Sequence, residues 1–151
     1  MTVIPFKQRD LFTRRWRQVV RPVAKEIELH IQLVSMLRWC IRPNVIWRHV
    51  PNGEHRDKRT AAKLKAMGVL PGSADLEFFW REPAGFCVLF LELKVAGRKQ
   101  SVEQMAFGLA MMTLGADYLV ASSIDEAIAA VGMRGLIQPG LEVCGKRWGP
   151  P

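Results

Sequence analysis

The stretch PGSADLEFFWREPAGFCVLFLELKV, Pro71 to Val95, constrains this chain more than any other. Two runs rich in aromatic, leucine and β-branched residues, 75–80 and 86–95, are joined by the polar segment REPAG. Runs of this length and composition, bounded by turn residues, read as strands joined in a hairpin. A strand pair that only filled a core has no use for Asp75 at its start and Glu-Leu-Lys at its end. Side chains alternate faces along a strand, so Glu92 and Lys94 project to one side while Leu91, Leu93 and Val95 are placed for packing. In an antiparallel hairpin the start of one strand lies opposite the end of the next. Asp75 and Glu92 are therefore expected as neighbours, with Lys94 close by.

Two carboxylates a few ångströms apart repel unless a cation lies between them, and hard oxygen ligands select Mg²⁺ or Mn²⁺. Such a centre suits metal-assisted phosphodiester hydrolysis, with a lysine stabilising charge or orienting the nucleophile. The plainer alternative is an exposed Glu/Lys pair on an amphipathic strand, and the tripeptide alone favours it. Gly72 three residues before Asp75, where the chain can turn sharply, brings the two readings level.

Around the hairpin the pattern alternates between helix and strand. A helix is expected over 23–41, with Pro22 in its first turn, Pro43 beyond its end, and Ile27, Ile31, Leu33, Val34 and Leu37 at helical spacing. Residues 44–50 read as a strand, and 57–68 as a helix with Asp57 as N-cap and Gly68 as stop. Ser101 is placed to cap a helix over 102–114, with Glu103 in its first turn. A strand over 116–122 follows, then a short helix to Val131 capped by Ser122 or Ser123, with Asp125 and Glu126 near its positive end. This order predicts an α/β fold, a mixed sheet with helices packed against it. The organisation expected is a basic arm (1–21), one domain (22–132) and a weakly determined Gly/Pro-containing tail (133–151).

With 151 residues, 49% of them hydrophobic, the chain can bury one good core. No apolar run reaches the roughly 18 residues needed to cross a bilayer, and the N-terminus lacks the apolar segment and cleavage site of a signal peptide. A cytoplasmic protein with no membrane partner is expected. Cys40, Cys87 and Cys144 lie far apart without metal-ligand spacing, so they read as reduced, mostly buried thiols rather than a zinc site. The net charge of +8 is uneven: seven Lys/Arg against one acid over 7–25, and eight against two over 38–65. Over 72–92 the sign reverses, with Asp75, Glu77, Glu82 and Glu92 against Arg81. A basic shell around an acidic strand pair fits a polyanion approaching a cation-binding centre.

The segment from Arg48 to Phe79, followed by FLELKVAGRKQSVEQMAFGLAMMTLGADYLVASSIDEA, resembles the VRR-NUC domain, a branch of the PD-(D/E)xK nuclease superfamily. The hallmarks of that domain are a Gly-Val-x-x-Gly-x-x-Asp turn, a Glu-x-Lys strand and a Ser-x-x-Gln helix start. They stand here as GVLPGSAD (68–75), ELK (92–94) and SVEQ (101–104), within a resemblance spanning roughly 26–131. The resemblance implies a restriction-endonuclease-like core, a mixed central β-sheet flanked by helices. It makes Asp75, Glu92 and the Leu93 backbone carbonyl ligands to Mg²⁺ or Mn²⁺, Lys94 the catalytic lysine, and Gln104 a helix residue facing the site. Glu26 is the best match to the acid that family often carries in its first helix, with Glu28 as the alternative. One departure is Ala74, where the family usually has proline; it loosens the turn but removes no ligand.

The remaining candidates are weaker. HVPNGEH invites an HNH reading through His49, Asn52 and His55, but neither cysteine pairs nor His30 fall suitably. That loop, with Arg56, Lys58, Arg59 and Lys63, suits phosphate contacts near the cut, although part of it is ordinary solvated helix face. Arg14, Arg15 and Arg17 around Trp16 suit backbone binding or stacking on an unpaired base, or packing on a second subunit. Trp39, Trp47 and Trp80 read as core, and the methionine-rich face from Met105 to Met112 as a core or dimer face. The function expected is a metal-dependent DNA endonuclease acting on branched or duplex DNA, with Holliday-junction resolution by a homodimer the first substrate guess. The resemblance sets it in a bacterial or phage-infected cell. The alternative is a nucleic-acid-binding or scaffolding protein that keeps the fold without cutting.

Overall fold

The computed structural model describes residues 25–51 and 58–149. Helix α1 (Lys25–Cys40) is followed by strand β1 (Ile46–His49), helix α2 (Lys58–Ala66) and the hairpin of β2 (Leu76–Glu82) and β3 (Gly85–Leu93). Helix α3 (Val102–Thr113), strand β4 (Asp117–Ala121), helix α4 (Ile124–Gly132) and a small hairpin, β5 (Glu142–Val143) with β6 (Lys146–Arg147), complete the chain. The main sheet has the order β1-β2-β3-β4, antiparallel except for the parallel β3–β4 pair. Helix α3 makes the crossover that a parallel pair requires. The expected α/β fold with a mixed sheet and flanking helices is what the structure shows.

Alternation divides the sheet into two faces. Leu76, Phe78 and Trp80 of β2 pair with Leu91, Leu89 and Cys87 of β3, so these side chains share a face. On it they join Leu33, Leu37 and Cys40 of α1 and Ala127, Ile128 and Val131 of α4 in one buried cluster. Fully burying each large side chain of this kind stabilises the fold by roughly 1.5–3 kcal/mol. The opposite face carries Glu77, Phe79, Phe90, Glu92 and Tyr118. Helix α3 lies over its β3–β4 half, where Phe107 meets Phe90 edge-on at 5.3 Å and Tyr118 at 6.2 Å. Gly108 permits this close seat: a Cβ there would lie 2.8 Å from the Tyr118 ring.

Three expectations about packing are corrected. Ile27 and Ile31 are 67% and 59% exposed, because α1 turns Leu33, Leu37 and Cys40 toward the sheet instead. Apolar residues occur almost all round α1, so its periodicity admits more than one buried face. Trp39 is half exposed for the same reason, whereas Trp80 is buried and Trp47 stacks on Phe78. Of the thiols only Cys40 is buried, with Cys144 exposed in the β5–β6 turn.

The Gly/Pro-containing segment past α4 is also more ordered than its composition predicts. Ile137 bridges to Ile41, and the Gln138 side chain donates to the carbonyls of Trp39 (3.0 Å) and Ile41 (3.2 Å). Leu136, Ile137, Val143 and Trp148 are buried in the main core. Cys144 and Gly145, with φ of 52° and 70°, supply the positive angles that a two-residue hairpin turn requires.

Candidate active site

The acidic centre is assembled by the ends of β2 and β3 and the start of α3. Leu76 pairs with Leu91, so extending the register by one residue sets Asp75 across from Glu92. The turn before Asp75 is held tightly. Gly72 has φ +78°, and a Cβ on it would overlap the backbone of Glu103 and Gln104. Only glycine lets the turn lie this close to the helix start. The Asp75 carbonyl accepts hydrogen bonds from the Val50 amide (3.0 Å) and from His49 Nδ1 (2.9 Å). Its carboxylate Oδ2 accepts from the Leu93 amide at 2.8 Å. Asp75 is thus anchored from both neighbouring strands, and Ala74 beside it is fully buried.

Glu92 is 0% exposed. Its Oε1 accepts from Lys94 Nζ at 2.6 Å and from Gln104 Nε2. Among the described residues its Oε2 has no hydrogen-bond partner. A buried carboxylate oxygen without a donor is costly, on the order of 1–3 kcal/mol or more for a charged group. Burial, then the charge of Asp75, pushes the Glu92 carboxyl up to about 7, against the opposing pull of Lys94. Asp75 is also raised by burial, opposed by the Leu93 amide, Lys94 and His30. Burial works to lower Lys94, but its bond to Glu92 and the charges of Glu92, Glu26 and Asp75 outweigh it and hold the ammonium above its usual range.

Gln104 has two tasks. It is the N3 residue of a capping box on α3: its Oε1 accepts from the Ser101 amide (2.9 Å), while Ser101 Oγ accepts from the Gln104 amide (3.2 Å). Its Nε2 is left to reach Glu92. From the other side of the sheet Glu26 Oε1 comes within 3.5 Å of Lys94 Nζ. Glu28 is exposed, so of the two upstream acids it is Glu26 that faces this centre.

His30 and His49, weighed in the sequence only for an HNH motif, border the site. The His30 and His49 rings meet edge-on at 4.3 Å, and His49 is the residue bonded to the Asp75 carbonyl. Burial and the neighbouring His49 lower the His30 pKa, against the opposing charge of Asp75. The signal was the pairing of the short strand 44–50 with the one opened by Asp75, which sets His49 across from Leu76. Tyr118, accepting from Gln100 Nε2 at 3.0 Å, closes the α3 side; burial and Glu92 raise its hydroxyl to about 12.

The donor set can be weighed against a divalent cation on these observations. Among the described residues no three His, Cys, Asp or Glu side chains cluster as a ligand set. A magnesium-like ion does not need three, because it keeps several waters and binds through one or two carboxylates. Asp75 and Glu92, set across from each other in the hairpin with Glu92 Oε2 left without a donor among the described residues, fit that demand. The Leu93 carbonyl lies in the strand between the acid and the lysine; the Leu93 group seen tying the centre together is its amide. Arg59 and Lys63 are exposed on α2, where Lys58 is the first residue. Arg14, Arg15, Arg17, Asn52, His55 and Arg56, together with the side chain of Lys58, lie outside the described residues.

No family model matches the sequence, and no curated protein does. Among solved structures, one described as a "VRR_NUC domain protein" is similar at a TM-score of 0.57 and 23% identity, over 71% of this chain and 84% of that one. At that identity the likeness speaks to architecture, and it agrees with the mixed sheet, the hairpin and the crossover helix described above. The chain has a VRR-NUC-like fold.

Proposed function

We propose that this protein is a divalent-metal-dependent endonuclease hydrolysing DNA phosphodiesters. The observation that carries the reading is Glu92: fully buried, across the hairpin from Asp75, with one oxygen held by Lys94 and Gln104 and the other, among the described residues, without a donor. Asp75, Glu92 and the Leu93 carbonyl would hold Mg²⁺ or Mn²⁺, with Glu26 as the upstream acid. When bound, such an ion polarises a phosphate and lowers the pKa of its water. Lys94, kept charged by three acids, is placed to stabilise charge on the phosphate or to orient the attacking water. Gln104 holds the Glu92 carboxylate in one orientation.

A net charge of +8 supports a nucleic-acid partner, with exposed Arg59 and Lys63 on α2 suited to phosphates. Helix α3 presents Val102, Met105, Leu109 and Met112, each at least half exposed, at spacings of three, four and three residues. That stripe supports a homodimer, and a two-fold dimer supplies the paired sites that cutting a four-way junction requires. Branched DNA is accordingly the substrate class we assign first.

The test is cleavage of linear duplex, single-strand, flap and four-way-junction DNA with Mg²⁺ or Mn²⁺, comparing wild type with Lys94→Ala. Metal-dependent cutting that disappears in the variant is the expected result. The absence of a three-residue ligand cluster among the described residues favours one other reading, a binder that does not cut. Thermal stabilisation separates the two: Mn²⁺ should raise the midpoint of wild type by mass action and not that of Asp75→Ala. DNA bound but left whole, with no metal-induced shift, would establish the binder.

A further inference from the structure

Among the described residues, the sheet face that carries Glu92 is covered by a helix over only half its width. Helix α3 seats Phe107 and Gly108 on Phe90 and Tyr118, on the β3–β4 side. On the β1–β2–β3 side the same face presents Ile46, Arg48, Phe79, Arg81, Phe86 and Val88. Ile46 is 71% and Phe86 69% exposed, and the Arg48 side chain 67%.

The arrangement on this half is planar. The Phe79 and Phe86 rings are nearly parallel, 11° apart with centroids at 6.2 Å. The Arg48 guanidinium lies 5.9 Å over the Phe79 ring, and a 2.7 Å bond from its Nε to Glu77 Oε2 fixes it there. The acid on this half-face, Glu77, is engaged by Arg48, while Glu82 alternates to the opposite face, where Trp80 Nε1 donates to it at 2.9 Å. Arg81, directly across from Phe86, is exposed. Parallel aromatic rings, a guanidinium held over one of them and no exposed acid on the patch among the described residues match the chemistry of unpaired bases on an anionic backbone. A duplex offers no base faces to such a surface.

The patch is also continuous with the acidic centre. Phe86, Val88, Phe90 and Glu92 are alternate residues of one strand on one face, so Phe86 lies about 20 Å along β3 from Glu92. We propose that this half-face is a stacking platform for an unpaired DNA strand, with Phe86 and Phe79 receiving bases and Arg48 and Arg81 the backbone. It deepens the branched-DNA reading and rests on its nucleic-acid part, since one arm of a branch would cross the platform while the junction meets the acids.

The test is anisotropy of a labelled oligodeoxythymidylate and of a labelled duplex, both in chelator so that nothing is cut. Phe86→Ala should weaken the single strand by about 5- to 150-fold, the worth of a base–aromatic stack, and the duplex far less. Phe86→Trp should restore the single-strand affinity, and Arg48→Ala should lower it. Equal single-strand affinity in wild type and Phe86→Ala overturns the platform. So does an equal loss on both DNAs together with a change in sedimentation, which would make the patch a self-association surface. Wild-type cleavage with Mn²⁺ is measured alongside. Cutting without a Phe86 effect removes the platform alone, whereas binding to neither DNA removes the nuclease reading.

Discussion

Gln104 donates its side-chain amide to Glu92 while its side-chain oxygen caps the helix it starts. One residue thus ties the stability of α3 to the orientation of a buried carboxylate. Ser101→Ala removes one half of the capping box and should cost about 1 kcal/mol. Gln104→Ala removes the other half and also strips a donor from Glu92, so it should cost more, about 2–3 kcal/mol, in denaturant unfolding. Equal losses in the two variants would mean that the Gln104–Glu92 bond contributes nothing.

Lys94→Met keeps the length of the side chain and removes its charge. Glu92 then loses its nearest cation and should take up a proton, so the fold should survive. DNA cleavage should fall by a hundredfold or more, as expected for losing a group that stabilises transition-state charge. Circular dichroism together with rate measurements checks both halves.

The raised carboxyl of Glu92 predicts a pH dependence of the metal-free protein. Its value moves from an ordinary 4.5 to about 7 on folding, so the native state binds the proton more tightly than the unfolded chain. The stability this contributes is complete below about pH 4.5 and is lost as pH rises through 7. Its upper limit is about 3 kcal/mol, or about 6–12 °C in Tm for a chain of this size. Asp75, also raised, acts with the same sign, and the lowered His30 acts against it below pH 6.5. Glu92→Gln should therefore flatten the fall in Tm between pH 5 and 8. Metal affinity, which requires the ionised acid, should rise over that same interval.

Gly72→Ala tests the turn that presents Asp75. The backbone there is left-handed and the space beside it is filled by the start of α3, so strain and overlap act together. A loss of about 2–3 kcal/mol or more is expected. Gly68→Ala, also at positive φ but with nothing within 4 Å of the added carbon, should cost less.

The hairpin and the approach of Asp75 to Glu92 were legible because strand alternation and turn residues are local signals. The Ser101 cap was legible for the same reason. The exposure of Ile27, Ile31 and Trp39 was not, because apolar residues surround α1 and only docking selects the buried side. Nor was the role of residues 136–148. Their glycines and prolines mark turns, while the few apolar residues between them insert into a core built mostly from distant sequence. That Gln104 faces the site was suggested by the family resemblance, but its bond to Glu92 was not; its capping role follows from its place three residues after Ser101. His30 and His49 belong to the site through strand pairing, which no spacing within either segment records.

The pairing of β2 with β3 also sets a parity rule on this chain. Paired residues of the hairpin share a face, and Asp75 meets Glu92 because their positions satisfy the same register as Leu76 with Leu91. Adding or deleting one residue within either strand would send one acid into the leucine-lined layer and leave the other behind. Two-residue changes preserve the facing. The turn at Pro83 and Ala84 can absorb length freely, whereas between Leu76 and the turn, or the turn and Leu91, length can change only in even steps.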